Sequence, residues 1–338
     1  MMFMSTASAP HKIILIGEHA VVHGKVGIAG AIDSRVFVKA QPGQRGIRVL
    51  DPLGLNNFKN SREELSKILS EFRTLYEKKD LEALRKFNFS DCIRIVVAET
   101  LDRIGWADVE IEMHRRDTLK GIGGSAALWA ATAAAMGEAF GKRLTKEQIN
   151  EIAYLGDVVA HGGTPSGIDN STVVYGGYLK FTKAGGPKPL KIDFEVPIVI
   201  IDSGEPANTG MTVPYVRRQL EAEPERVQKI LDRLHDISND ALNALVAHDL
   251  KKVGKFMTDY YQELRKLDIS TEKLDRIINI AMDNGALGAK PTGGWGGGVC
   301  IALVEDAENA DELIKTFQKN NFRAFTTKLG AEGVRLEE

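Results

Sequence analysis

The chain of 338 residues has little cysteine, no long apolar run and no excess of either charge. Its two cysteines, Cys92 and Cys300, cannot build a disulfide framework, so we expect a reducing, cytoplasmic setting. No apolar stretch reaches the roughly 18 residues of a membrane helix, and we expect no signal peptide. Lys and Arg total 44 against 46 Asp and Glu. This balance predicts binding neither to nucleic acid nor to membranes.

Hydrophobic residues make up 43% of the chain, enough for the cores of two domains. Strands and helices alternate in both halves, which indicates two α+β domains. Residues 183–189 carry two glycines and two prolines and are the best linker candidate. We therefore expect domains at 1–185 and 190–338. Strands are predicted at 13–16, 26–32, 35–40, 109–114, 172–174, 178–181, 196–201, 299–304 and 322–328, and helices at 61–87, 91–104, 125–140, 145–160, 223–250, 271–284 and 307–319.

Chargeable side chains crowd the two ends of the first predicted strand. Lys12 precedes the apolar run 13–16, and Glu18, His19 and His23 follow it. A cation, an acid and two imidazoles at one strand-to-turn junction are typical of a functional site. The ordinary alternative is a lysine that extends to solvent at a strand edge, followed by a polar turn.

A glycine loop at 121–124 opens an alanine-rich helix. Glycines let backbone N–H groups converge on one point, and the helix that begins near Ser125 adds its partial positive charge. Lys120 supplies a further cation, so the segment suits a phosphate group. The alternative is a plain helix start after a flexible turn, and the spacing is not that of a Walker A loop.

Two further blocks carry candidate chemistry. Asp169 lies in a loop of small residues, where a carboxylate can orient an alcohol and accept its proton, or merely start a turn. Asp157 lies on a predicted helix, on the same face as His161. The loop 293–298 is nearly all glycine and lets the backbone approach a ligand closely. Its Trp295 either walls the site or points outward, and the sequence leaves both open.

These blocks resemble, in order and at similar separations, the motifs of the GHMP family of small-molecule kinases, most closely those of its mevalonate kinases. The first reads G-E-H-A-V-V-H-G from Gly17 and the third P-S-G-I-D-N from Pro165. The resemblance spans nearly the whole chain. It implies an α+β fold of two domains, in which a ribosomal-protein-S5-like N-terminal domain binds ATP and a ferredoxin-like α/β sandwich follows it.

The resemblance also implies a reaction, the ATP- and Mg²⁺-dependent phosphorylation of the 5-hydroxyl of (R)-mevalonate in isoprenoid biosynthesis. Asp169 would deprotonate the hydroxyl, and Lys12 would stabilise the developing charge. The other implied contacts are Lys120, Gly121, Ile122, Gly123, Gly124, Ser125 and Ala126 with the nucleotide, Glu18, His19, Thr209, Gly293 and Gly294 with the substrate, and Ser125 and Asp157 with Mg²⁺.

The chain departs from the family pattern at the nucleotide loop and at Trp295. Asp117, Leu119 and Gly124 replace the usual proline, glycine and serine, and Trp295 stands where a glycine is usual. The alternatives are another GHMP kinase, acting on phosphomevalonate, mevalonate 3-phosphate or a sugar, and a non-catalytic ligand sensor. The presence of both Lys12 and Asp169 argues against a sensor. The sequence does not give the oligomeric state, and a homodimer is one option.

Overall fold

The structure, a computed structural model, describes residues 3–115, 121–207 and 209–338. Within these ranges, eight strands form a first sheet, in which β6 and β7 extend from β2 beside the path β12-β1-β2-β5-β3-β4. The strands are β1 (Ser5–Ile16), β2 (Gly27–Pro42), β3 (Ile47–Leu50), β4 (Phe58–Asn60), β5 (Val109–Arg115), β6 (Tyr178–Thr182), β7 (Gly186–Leu190) and, from the far end of the sequence, β12 (Arg335–Glu337).

Helices cover the first sheet. They are α1 (Arg62–Glu77), α2 (Leu81–Leu84), α3 (Phe89–Ile104), α4 (Gly124–Ala139), α5 (Lys146–Ala160) and α6 (Ile168–Tyr175). Helix α4 is apolar on nearly every side and lies buried against β1 and β2, as a helix without a polar face must. Its Trp129 is fully buried. A capping box opens α5, in which the side chains of Thr145 and Gln148 each accept from the other's backbone N–H.

A second, four-stranded antiparallel sheet has the order β11-β8-β10-β9. Its strands are β8 (Ile198–Asp202), β9 (Gly288–Thr292), β10 (Val299–Leu303) and β11 (Arg323–Thr327), and its helices are α7 (Thr209–Ala222), α8 (Pro224–Val246), α9 (Leu250–Arg265), α10 (Glu272–Asp283) and α11 (Ala307–Lys319). Helix α8 buries one apolar face, including Val227, Leu231 and Leu234, as its spacing predicts. None of the described helices has the length and apolar character needed to cross a bilayer.

The α+β class is confirmed, and several local predictions are wrong, among them the single helix at 61–87, which is divided into α1 and α2. The predicted strand at 172–174 lies inside α6, where the Thr172 hydroxyl donates to the Ile168 carbonyl at 2.7 Å. This short helix packs between α4, α5 and the first sheet, so tertiary contacts override its β-branched residues. The predicted linker ends in strand β7. Pro187 and Pro189 are tolerated there because β7 is an edge strand, bonded to β6 alone.

The far end of the sequence returns to the first sheet. Strand β12 pairs with β1, Arg335 opposite Ser8. The Arg35 guanidinium of β2 donates to the carbonyls of Glu332 at 2.7 Å and Gly333 at 2.8 Å. A Cβ on Gly176 would lie 2.1 Å from the Gly333 nitrogen, so the backbones touch at a place where only glycine fits.

Candidate active site

Lys12, in the C-terminal half of β1, forms an ion pair with Asp169. The Lys12 ammonium lies 2.8 Å from Oδ1 of Asp169, and the two side chains are 2% and 26% exposed. A register shift between Pro10 and Lys12 interrupts the β1–β2 ladder just before the lysine. Such bulges re-aim side chains at sites. Asp169 comes from the first turn of α6, so a buried cation meets a carboxylate that solvent can reach.

The glycine loop lies directly against this lysine. The Lys12 N–H donates to the Ile122 carbonyl at 2.8 Å. Gly123 has φ +76°, and a Cβ there would lie 2.8 Å from Lys12 Cγ. Helix α4 begins at Gly124, so Ser125 and Ala126 lie in its first turn, where free N–H groups favour an anion. The loop therefore places an anion-binding helix start beside the Lys12 side chain, while Lys120 lies outside the described residues.

A second carboxylate, Asp157, lies close to the pair. It is 3% exposed, and its pKa is raised well above the ordinary value, first by burial and then by the charge of Asp169. Burial lowers the pKa of the neighbouring His161, which ends α5. The two carboxylates repel each other, and one of them is buried. A bound cation would reduce this repulsion.

The donor set fits Mg²⁺. Among the described residues there is no cluster of three Asp, Glu, His or Cys side chains that could hold a metal ion. Mg²⁺ does not need one, because it usually keeps water and phosphate oxygens and takes only one or two protein carboxylates. Asp157, with the Ser125 hydroxyl at the start of α4, supplies the kind of oxygen ligands that such a site uses.

His19 follows β1 in a strained turn. Its φ is +59°, and its ring is 4% exposed. Its Nε2 lies 3.2 Å from the Gly294 carbonyl, which also accepts from the Thr212 hydroxyl at 2.6 Å. Because a carbonyl only accepts, Nε2 carries the proton and Nδ1 is left as an acceptor. Burial lowers the pKa of His19 to about 4, so the ring is neutral at physiological pH.

Trp295 points inward. The structure thereby decides between the two orientations that the sequence left open, since the side chain is fully buried. Its ring centroid lies 6.4 Å from that of His19 and 5.8 Å from that of Tyr261. Its φ of +62° puts a bulky residue in the left-handed region, a strain that is common at functional sites.

The loop 293–298 and the end of β9 before it contact the glycine loop 121–124 and strand β1. A Cβ on Gly293 would lie 3.1 Å from the Gly121 carbonyl, so the two glycine loops are in contact. The Thr292 hydroxyl accepts from the Ile14 N–H at 2.9 Å and donates to the Ile14 carbonyl at 3.0 Å. Helix α7 begins at Thr209, the last substrate candidate, whose side chain lies outside the described set.

Glu18 is wholly enclosed. Both its side chain and that of Lys290 are 0% exposed, and the two are joined in an ion pair. Sequence reasoning did not single out Lys290 or Thr212. Lys290 lies three residues before the loop 293–298, which offers a signal, whereas nothing around Thr212 distinguishes it from other helical threonines. The structure thus brings together all four blocks at the junction of the two sheets.

Comparisons with known families agree with this geometry. The profile described as "GHMP kinases N terminal domain" matches residues 91–177, and "GHMP kinases C terminal" matches residues 241–323. A curated relative, from Pyrococcus horikoshii, is 32% identical over 340 residues that cover 98% of this chain and 97% of that protein. The chain therefore belongs to the GHMP kinase family, and the expected two-domain fold is confirmed.

The names of the relatives identify the group within the GHMP kinase family. The Pyrococcus horikoshii protein is named a mevalonate kinase, so the resemblance seen in the sequence is also confirmed. The crystal structure of the Methanococcus jannaschii mevalonate kinase has a TM-score of 0.78 and 25% identity, and the match covers 97% of this chain and 98% of that one. That of L. major mevalonate kinase in complex with R-mevalonate has a TM-score of 0.76 at 24% identity, covers 98% and 97%, and shares the fold. The chain is a kinase of the mevalonate kinase group.

Proposed function

We propose that the protein transfers the γ-phosphoryl group of ATP to the 5-hydroxyl of (R)-mevalonate and so forms 5-phosphomevalonate for isoprenoid biosynthesis. The observation that carries this proposal is the 2.8 Å ion pair of Lys12 and Asp169 beside the start of α4. It joins a base, a buried cation and an anion-binding helix start in one place. The relatives named as mevalonate kinases support the choice of alcohol.

Asp169 orients the hydroxyl and takes its proton as the new O–P bond forms and the bond to the leaving β-phosphate breaks. The Lys12 ammonium stabilises the negative charge on the hydroxyl oxygen and the transferred phosphoryl group. Its burial strengthens this effect, because the side chain is 2% exposed and solvent screens it little.

The remaining contacts fall on two sides of the pair. On the nucleotide side, the backbone of 120–126 binds the phosphates, with Lys120 and the start of α4 as positive ends. Ser125 and Asp157 hold Mg²⁺, which when bound neutralises phosphate charge. On the substrate side, His19, Thr209, Gly293 and Gly294 surround the alcohol. Glu18 acts there from within its ion pair with Lys290.

The test is a panel of alcohols assayed for ADP release with ATP and Mg²⁺. Mevalonate should support turnover, and phosphomevalonate, mevalonate 3-phosphate, galactose and homoserine should not. Phosphorus NMR of the product should show a phosphate ester at the 5-position. Turnover with one of the other alcohols in place of mevalonate would reassign the substrate, and no turnover with any of them would end the kinase proposal.

Asp169→Asn should lower kcat by about 10²- to 10⁴-fold while the fold persists, because the amide cannot accept the proton. Asp232→Asn is the matched control. It breaks an exposed ion pair with Lys25, in which the two atoms lie 2.6 Å apart. Like the pair of Lys12 and Asp169, this ion pair connects separate elements, because Lys25 precedes β2 and Asp232 lies in α8. The kcat of the control should stay within about two-fold of the wild type, since exposed ion pairs contribute little.

A further inference from the structure

Lys290 is enclosed in the protein and fully paired. Its side chain is 0% exposed, and its ammonium donates to the Glu18 carboxylate, to the Ile14 carbonyl at 3.3 Å and to the Pro291 carbonyl at 2.9 Å. These acceptors satisfy all three hydrogens of the ammonium group. None is free for a ligand, so Lys290 acts through the residues that it holds.

Those residues lead to the reacting centre. Lys290 and Thr292 lie on the same face of β9, two residues apart, and both bind the backbone of Ile14. Ile14 lies two residues after Lys12 on β1, again on one face. Side chains of the second sheet thus hold the strand of the first sheet that carries the catalytic lysine.

Charge follows the same path. Asp169, Lys12, Glu18 and Lys290 alternate in sign, and the middle two influence each other, since the Lys12 charge lowers the pKa of Glu18. Burial, the largest effect, raises the pKa of Glu18 and lowers that of Lys290. Without Lys290, the Glu18 carboxylate would be an uncompensated charge in the interior, with Lys12 as its nearest remaining cation in this series.

We propose that Lys290 is a positioning residue for catalysis: it neutralises Glu18 and fixes β1, so that the Lys12 ammonium stays on Asp169 and the transferred phosphoryl group. This rests on the proposed function of Lys12. The charged and titratable groups that act on Lys12 and its partners are Asp169 from α6, Asp157 and His161 from α5, Glu18 after β1, Lys290 from β9, Cys300 from β10 and Tyr260 from α9.

The experiment compares Lys290→Met, Glu18→Gln and the double variant Glu18→Gln/Lys290→Met with the wild type. Steady-state kinetics are measured from pH 6 to 10, at a temperature well below the thermal unfolding midpoint of each variant. Activity is then counted per folded molecule. Lys25→Met is the matched control, because it removes a lysine whose ion pair also crosses between the elements of the two sheets but is partly exposed.

Lys290→Met should lower kcat by about 10- to 100-fold with KM for ATP nearly unchanged, because Lys12 is drawn away from its aligned position. Glu18→Gln leaves the buried Lys290 ammonium without its carboxylate partner, so this variant should also lower kcat by about 10- to 100-fold. The double variant removes both buried charges and should recover much of kcat, and Lys25→Met should behave as wild type.

A purely structural lysine gives a different pattern. Lys290→Met would then lower the unfolding midpoint but keep the wild-type kcat, and that result overturns the proposal. If Lys290→Met does not fold, Glu18→Gln and the double variant decide: a wild-type kcat in Glu18→Gln, or no recovery of kcat in the double variant, overturns it. Failure of the proposed function shows separately, as a wild type that is inactive with mevalonate. The variants are then compared with whichever alcohol the wild type turns over.

Discussion

A single methyl group at Gly123 should separate the geometry of Lys12, the proposed catalytic lysine, from general stability. The added Cβ would lie 2.8 Å from Lys12 Cγ and 2.9 Å from Cε, whereas ordinary contact begins near 3.4 Å. The lysine must therefore shift by about 0.6 Å or more to relieve the overlap. Its ammonium lies 2.8 Å from Asp169, so such a shift breaks the aligned ion pair. Misplacement on this scale costs about 10- to 100-fold in kcat.

Gly285→Ala is the matched control. Gly285 has φ +88°, close to the +76° of Gly123, but a Cβ there meets nothing within 4 Å. Both variants should lose about 1–2 kcal/mol of unfolding free energy, because both force alanine into the left-handed region. Chemical denaturation measures that loss, and ADP release at saturating ATP and mevalonate measures kcat. A wild-type kcat in Gly123→Ala, or an equal loss in Gly285→Ala, would refute the reasoning.

Two further predictions use the pKa shifts. His19 has a folded pKa of about 4 against an ordinary 6.5, so the unfolded state binds the proton first as pH falls. Proton binding to His19 in the unfolded state should therefore lower the free energy of unfolding by about 2–3 kcal/mol between pH 6.5 and pH 4. Measured by urea unfolding over this pH range, His19→Gln should lose about 2–3 kcal/mol less than the wild type. Asp157→Asn removes a carboxylate whose pKa is raised by burial and by Asp169. At neutral pH and without Mg²⁺ it should therefore raise the unfolding midpoint. The same variant should also raise the Mg²⁺ concentration for half-maximal activity, and a fall in either quantity would contradict the assignment of Asp157.

Much of the fold follows from local patterns in the sequence. The apolar stripe of α8 and the capping box of α5 depend only on neighbours within a few turns, and the structure has both. Helix α6 does not follow, because its Thr172–Val174 run is β-branched and only packing against α4 and α5 makes it helical. Helix α9 buries an apolar face that its spacing encodes, so its signal was present but was not used.

The site divides in the same way. Its motifs mark the residues, but the partner of a buried charge is a long-range fact. Lys290 lies 272 residues from Glu18, and no spacing rule joins them. The inward turn of Trp295 likewise depends on His19 and Tyr261, which come from distant parts of the chain. Sequence reasoning can identify the chemical character of such groups. Their orientation, and the partner that neutralises a buried charge, are set by contacts between distant parts of the folded chain.

The pairing of β12 with β1 has a consequence for biosynthesis. Ser8 contacts Glu337, 329 residues further along, while residues of the second sheet lie between them in the sequence. The ribosome therefore releases β1 long before its outer neighbour exists, and β1 waits with one edge unpaired. At ordinary elongation rates of about 5–20 residues per second, that exposure lasts tens of seconds. The nascent chain thus carries an open strand edge, the kind of surface that chaperones cover, throughout the synthesis of its second half.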